Sequence, residues 1–145
     1  MAICILVVSV TSGCAGWFNR SRHVDPVILE QVRGIGAVRG ERVLSSDIDG
    51  TMEITNVFVI DVEGESPSGA LDKAIDALTA RKWSIMIEKR PIRVQMKSLN
   101  RDTVHLTVAP FDKIYLETAP ELRGMIDGSD PGAKNFVIVD VYDTA

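Results

Sequence analysis

The sequence predicts an α+β domain in which one main helix covers one face of a mostly antiparallel sheet. Leu71, Ala74, Ile75 and Leu78 recur at helical spacing and form a single apolar stripe. The segments that follow instead alternate apolar and polar residues, which is the pattern of strands with one buried face. The chain has 145 residues, of which 46% are hydrophobic and 25% charged, and this composition suits one globular core.

The chain begins with an apolar run, Ala2–Val10, which is shorter than the roughly 20 residues needed to span a bilayer. Small residues then lead to a cysteine in Thr11-Ser12-Gly13-Cys14-Ala15. This segment resembles the signal sequence of bacterial lipoproteins, in which the cysteine after the lipobox is lipidated. Thr11 departs from the aliphatic residue usual at the start of the lipobox, and no Lys or Arg precedes the apolar run. The resemblance implies that residues 1–13 are removed and that Cys14 carries the lipid.

Three other interpretations of the N-terminal segment stay open. Gly13-Cys14-Ala15 also fits an ordinary cleavage site of a secreted protein, and the apolar run also fits an uncleaved anchor. Ile3–Val10 is rich in β-branched residues and also fits a buried strand of a cytosolic domain. The lipoprotein interpretation predicts a protein held by a lipid at the extracytoplasmic face of the cell membrane.

Residues 14–24 are predicted to form the lipidated cysteine and a tether. Trp17-Phe18 would lie at the bilayer interface, although a plain linker also explains these aromatic residues. Asp25-Pro26 then fits the N-cap and first residue of a short helix. We therefore expect a single domain over residues 25–145.

Asp47-Ile48-Asp49-Gly50-Thr51 resembles the first motif of haloacid-dehalogenase-type phosphatases, D-x-D-G-T. The resemblance implies Asp47 as the nucleophile and Asp49 as an acid/base beside a magnesium ion. In that family the motif closes a buried parallel strand, whereas the stretch before it here is polar. The residues themselves predict a hairpin turn, because Asp49-Gly50 supplies the positive φ that such turns need.

A strand, a helix and a further strand are predicted next. Val57–Glu63 starts apolar on both faces, which indicates a central strand. Ser66 fits the N-cap of a helix over Pro67–Lys82, since Pro is favoured at the first helical position. Trp83 opens the next strand.

Alternating runs after Trp83 predict antiparallel strands joined by turns. Pro91 and Asn100–Asp102 interrupt these runs. An irregular stretch with a short helix near Pro120–Ile126 follows, and Phe136–Tyr142 is the last strand. The order of elements approximates a split β-α-β, ferredoxin-like arrangement.

The polar face of this sheet is the candidate binding surface. It would carry Arg93, Gln95, Lys97, Thr103, His105 and Thr107, of which the first five are the candidate binding residues. The cations would meet an anionic wall polymer or an acidic envelope protein. A solvated sheet face with no ligand carries the same kinds of residues.

The net charge and the numbers of His and Cys residues disfavour several classes of function. The formal net charge of −4 disfavours a nucleic-acid binder. The two histidines and the two cysteines, Cys4 and Cys14, do not predict a metal site or a disulfide framework within the domain. We expect a non-catalytic binding or accessory module of the cell envelope, without a cofactor. The alternative is a magnesium-dependent phosphatase that uses Asp47 and Asp49.

Overall fold

Seven strands form one sheet in the computed structural model, which describes residues 20–145. The strands are β1 Arg20–Arg22, β2 Ala37–Ile48, β3 Thr51–Asp61, β4 Trp83–Lys89, β5 Arg93–Ser98, β6 Val104–Pro110 and β7 Val137–Asp143. The helices are α1 Pro26–Arg33, α2 Pro67–Ala80, α3 Tyr115–Thr118 and α4 Pro120–Arg123, followed by a 3-10 turn at Ala133–Asn135. The predicted α+β class is confirmed. The predicted signal sequence, Cys14 and Trp17-Phe18 lie outside the described residues.

The sheet is mostly antiparallel, as predicted. Its strand order is β2-β3-β7-β6-β5-β4, and each neighbouring pair in this order is antiparallel. The short strand β1 is the exception and pairs in parallel with β3, with Arg20 opposite Thr51. Because β2 pairs with β3 along its whole length, β1 and β7 share the other edge of β3. Arg20–Arg22 therefore belongs to the sheet rather than to a free tether, and Val24 after it is buried.

The ferredoxin-like arrangement is not confirmed. Strands β3 and β4, which α2 connects, have β7, β6 and β5 between them, where a split β-α-β unit has a single strand. The reason is that short turns pair β4 with β5 and β5 with β6, so β4 is displaced to the far edge of the sheet. The prediction of one main helix is not confirmed either, because α1 packs into the same core as α2.

The main core lies between α1, α2 and one face of the sheet. Leu71 and Leu78 of α2 are 1% and 0% exposed and cluster with Phe58 and Ile60 of β3, as the helical stripe predicted. Both long helices have the predicted caps. The Ser66 hydroxyl accepts a hydrogen bond from the Gly69 amide at 3.0 Å, and the Asp25 carboxylate accepts one from the Val27 amide at 2.9 Å.

A second, smaller core covers only part of the other face. There Val57 and Val59 of β3 pack with Ile138 of β7 and with residues from the segment between β6 and β7. These residues are Phe111, Leu116, Ala119, Leu122, Ile126, Ala133 and Phe136. Strand β3 is therefore buried on both faces, which confirms the prediction of a central strand. On the same face, the side chains of β4, β5 and β6 remain partly exposed.

Leu78→Ala is expected to lower the free energy of unfolding by about 2–5 kcal/mol, because it leaves a cavity in the main core. Urea denaturation measures this loss. Leu99→Ala is the matched control, since Leu99 is 62% exposed, and it should change stability by no more than about 0.5 kcal/mol. Equal effects of the two substitutions would contradict the assigned core.

Candidate binding site

Four of the five candidate binding residues share the partly covered face of the sheet. Lys97 is the register partner of His105, and Gln95 is the partner of Thr107. Directly paired residues on neighbouring strands project from the same face, and residues two apart on one strand do so as well. Arg93 thus joins Gln95 and Lys97 on this face. The predicted placement of these four side chains is confirmed, while their role in binding stays a prediction.

Thr103, the fifth candidate, does not present its hydroxyl to solvent. The hydroxyl oxygen is buried and has no hydrogen-bond partner among the described residues. The Thr103 carbonyl oxygen accepts a hydrogen bond from the Thr144 amide at 2.9 Å, which ties the start of β6 to the end of the chain. Thr103 therefore acts in the structure through its backbone, not as part of an accessible polar surface.

A pair of like charges lies at one end of this face. Lys89 of β4 is the register partner of Arg93 of β5. Like charges directly opposite each other destabilise a sheet, typically by a few tenths of a kcal/mol up to about 1 kcal/mol. Within residues 20–145, acidic partners lie within 4.0 Å of Arg33, Arg39, Arg90 and Arg101. In that same range no salt bridge is formed by Lys89, Arg93 or Lys97.

Two adjoining cavities form a groove beside these cations. The larger has a volume of about 730 Å³ and is lined by apolar and by charged residues. The apolar ones include Pro67, Pro91, Pro110 and Pro131 with the rings of Phe111 and Tyr115, and the polar ones are Asp112, Lys113, Ser129, Asp130 and Lys134. The smaller, of about 490 Å³, is lined by Lys89, Arg93, Thr107 and Asp140. Ile92, Ala109 and Tyr115 line both cavities, so we refer to the two together as the groove.

Asp140 is a site residue that the sequence did not reveal, because the residues on either side of it, Val137–Val139 and Val141, are apolar. Asp140 is paired with Thr107 of β6 on one side and with Val57 of β3 on the other, and Val57 is paired with Arg42 of β2. All four residues therefore lie on the partly covered face. Asp140 lines the groove and also a third cavity of about 170 Å³ that Arg42 lines. Its single signal in the sequence is one acidic residue within Val137–Tyr142.

Burial dominates the electrostatics of Asp140. It raises the pKa of the carboxyl group, and the positive charge of Arg42 partly offsets this by lowering the pKa. Oδ1 of Asp140 and Nε of Arg42 are buried without hydrogen-bond partners among the described residues. A perturbed carboxyl group in a cavity wall is a feature of binding and catalytic sites. Asp140 is therefore part of the candidate site.

The phosphatase-like motif forms the turn between β2 and β3. Asp49 and Gly50 have φ angles of 52° and 77°, and the Asp47 carboxylate accepts a hydrogen bond from the Gly50 amide at 3.0 Å. The predicted hairpin is confirmed. Asp47 pairs with Met52 in an antiparallel ladder, so the motif does not end the buried parallel strand that the phosphatase family uses. Residues 20–145 contain no cluster of three His, Cys, Asp or Glu side chains that could hold a metal ion.

Comparisons with family models, with curated proteins and with solved structures find no match to this chain. Over the part of the chain that the structure describes, no helix is long and apolar enough to cross a membrane.

Asp140→Asn is expected to raise the free energy of unfolding near pH 7, and the gain should shrink as the pH is lowered. A carboxyl group whose pKa is raised by folding favours the folded state below its unfolded pKa, which is about 3.9. This contribution is lost as the pH rises through the folded pKa, whereas asparagine carries no charge to desolvate. Urea denaturation of both proteins between about pH 4 and pH 8 measures the difference.

Asp76→Asn is the matched control for this experiment, because it removes an exposed carboxylate from the surface of α2. It should not reproduce the pH-dependent gain. A difference between Asp140→Asn and the unchanged protein that is constant with pH would contradict the assigned burial of the Asp140 charge.

Proposed function

We propose that this protein is a lipoprotein of the bacterial cell envelope whose domain binds an anionic partner without catalysing a reaction. The apolar run Ala2–Val10 and the small residues before Cys14 support a lipid anchor at that cysteine, on the extracytoplasmic face of the membrane. The observation that carries the binding role is the juxtaposition of Lys89 and Arg93 on the partly covered face of the sheet.

An anion bound between Lys89 and Arg93 would compensate their positive charges. It would relieve the repulsion between Lys89 and Arg93 and accept charge-assisted hydrogen bonds from both. The chain as a whole has 16 basic and 20 acidic residues, whereas the smaller cavity is lined by two cations, Lys89 and Arg93, and one carboxyl group, Asp140. This local excess favours an anionic wall polymer or an acidic envelope protein as the partner.

The position of β1 is compatible with such a partner. β1 enters the sheet beside Thr51, at one end of β3, whereas Lys89 and Arg93 lie towards the other end. Strand β3 has 11 residues, which corresponds to about 35 Å. Residues 15–19 separate Cys14 from Arg20 and span at most about 20 Å. A lipid at Cys14 would therefore keep the β1 end of the sheet near the bilayer and leave the groove accessible from the envelope.

Cys14→Ser is expected to abolish membrane attachment, because each buried CH₂ of an acyl chain contributes about 0.8 kcal/mol to anchoring. The variant should appear as a folded domain released from membranes or as an unprocessed precursor. Intact mass measurement of the unchanged protein from the membrane fraction should show loss of Met1–Gly13 and a diacylglyceryl group. Cys4→Ser is the control and should be anchored normally. A protein that keeps Met1 and fractionates with the cytosol would refute the anchor.

Lys89→Gln is expected to weaken binding of the domain to poly-L-glutamate by about two- to fivefold, since a surface ion pair contributes about 0.2–1 kcal/mol. Lys89→Gln combined with Arg93→Gln should weaken it further, and added salt should weaken binding to the unchanged domain. Titration calorimetry measures the affinities. Lys82→Gln, at the opposite end of β4, is the matched control and should bind normally. Equal loss in Lys82→Gln and Lys89→Gln would contradict the proposed site.

A further inference from the structure

We propose that the groove selects a protein partner, by binding an extended peptide segment in which an acidic residue is next to a large apolar side chain. This inference rests on the proposed function and goes beyond it by choosing an acidic protein over a wall polymer. The acidic residue would lie between Lys89 and Arg93. The apolar side chain would fill the adjoining cavity beside Phe111 and Tyr115.

The charges of the smaller cavity favour an anion. Lys89 and Arg93 contribute two positive charges to its lining, and Asp140 contributes the one carboxyl group. Neither cation forms a salt bridge within residues 20–145, and their direct pairing is unfavourable without a counter-charge. The hydroxyl of Thr107, on the strand beside Arg93, adds a further hydrogen-bonding group for a carboxylate.

The proline and aromatic part of the larger cavity favours an apolar group. Four proline residues line it, and proline has no backbone N–H to donate. Phe111 is buried and its ring is 6.2 Å from that of Tyr115, so the two rings form a stacked wall. An aliphatic or aromatic side chain of a peptide would gain by burial against these rings, which is a contribution that an anionic wall polymer without apolar side chains does not make.

Ile92 lies where the two cavities meet. It lines both, and its side chain is 71% exposed. An exposed isoleucine between the cationic pair and the rings of the larger cavity covers the junction that a peptide would cross from its acidic residue to its apolar side chain. The cavity volumes, about 730 and 490 Å³, are within the range of roughly 300–1,000 Å³ that is typical of ligand sites.

The test compares three probes on the unchanged domain by titration calorimetry. They are a synthetic peptide of alternating Phe and Glu, poly-L-glutamate with the same number of charges, and polygalacturonate as an anionic glycan. The Phe-Glu peptide should bind at least about tenfold more tightly than the other two, because it adds apolar burial to the same charges.

Ile92→Ser should remove most of this advantage, so that the Phe-Glu peptide and poly-L-glutamate bind the variant with similar affinities. Leu99→Ser is the matched control, since Leu99 is 62% exposed and lies outside the groove, and it should bind all three probes normally. Both side chains are exposed, so neither substitution should unfold the domain. Circular dichroism checks that the variants are folded.

Two outcomes separate this inference from the proposed function. If poly-L-glutamate or polygalacturonate binds through Lys89 and Arg93 as tightly as the Phe-Glu peptide, the choice of a protein segment is wrong and the anion-binding role stands. If none of the three probes binds, both are wrong. Loss of the peptide's advantage in Leu99→Ser as much as in Ile92→Ser would also overturn the assignment to the groove.

Discussion

Burial of β3 on both of its faces is the constraint on which the rest of the structure depends. Phe58 and Ile60 need apolar cover on one side of the sheet, and Val57 and Val59 need it on the other. Helices α1 and α2 supply the first layer. The second layer comes from the segment between β6 and β7, which explains why an irregular stretch contains seven buried side chains of the smaller core. Apolar burial of this kind is the dominant favourable term in folding.

The unequal size of the two layers creates the groove. α3 and α4 have four residues each, so they cover the half of the face formed by β2, β3 and β7. The strands β5 and β6 keep polar side chains on that face, where they remain partly exposed. The edge of the second layer, formed in part by Phe111 and Tyr115, then becomes one wall of a cavity. The groove is thus the boundary between the covered and uncovered halves of one sheet face.

The two charged features of this face have different physical origins. Lys89 and Arg93 are exposed, and their interaction is a surface repulsion that water and salt weaken. Asp140 lies nearer the second layer, where burial raises the pKa of its carboxyl group. A partner approaching the groove would meet the cations in solvent and the carboxyl group in a partly apolar environment. Charge–charge attraction would act first at the exposed end, and desolvation would matter more at the buried end.

The sequence by itself determined the local elements of this protein. Side-chain periodicity identified α2 and the alternating strands, and Asp25, Ser66 and Asp49-Gly50 marked two helix starts and a hairpin turn, because each of these signals depends on residues close in the chain. Alternation also assigned Arg93, Gln95, Lys97 and His105 to one face.

Only the tertiary structure decided the strand order, the pairing of β1 with β3 and the position of Asp140 in a cavity wall. The opposition of Lys89 and Arg93 also required the observed register, which shifts between Ile85 and Ile87. Periodicity specifies which face a side chain occupies, whereas the neighbour of a strand is set by which residues far apart in sequence bury each other's apolar surface.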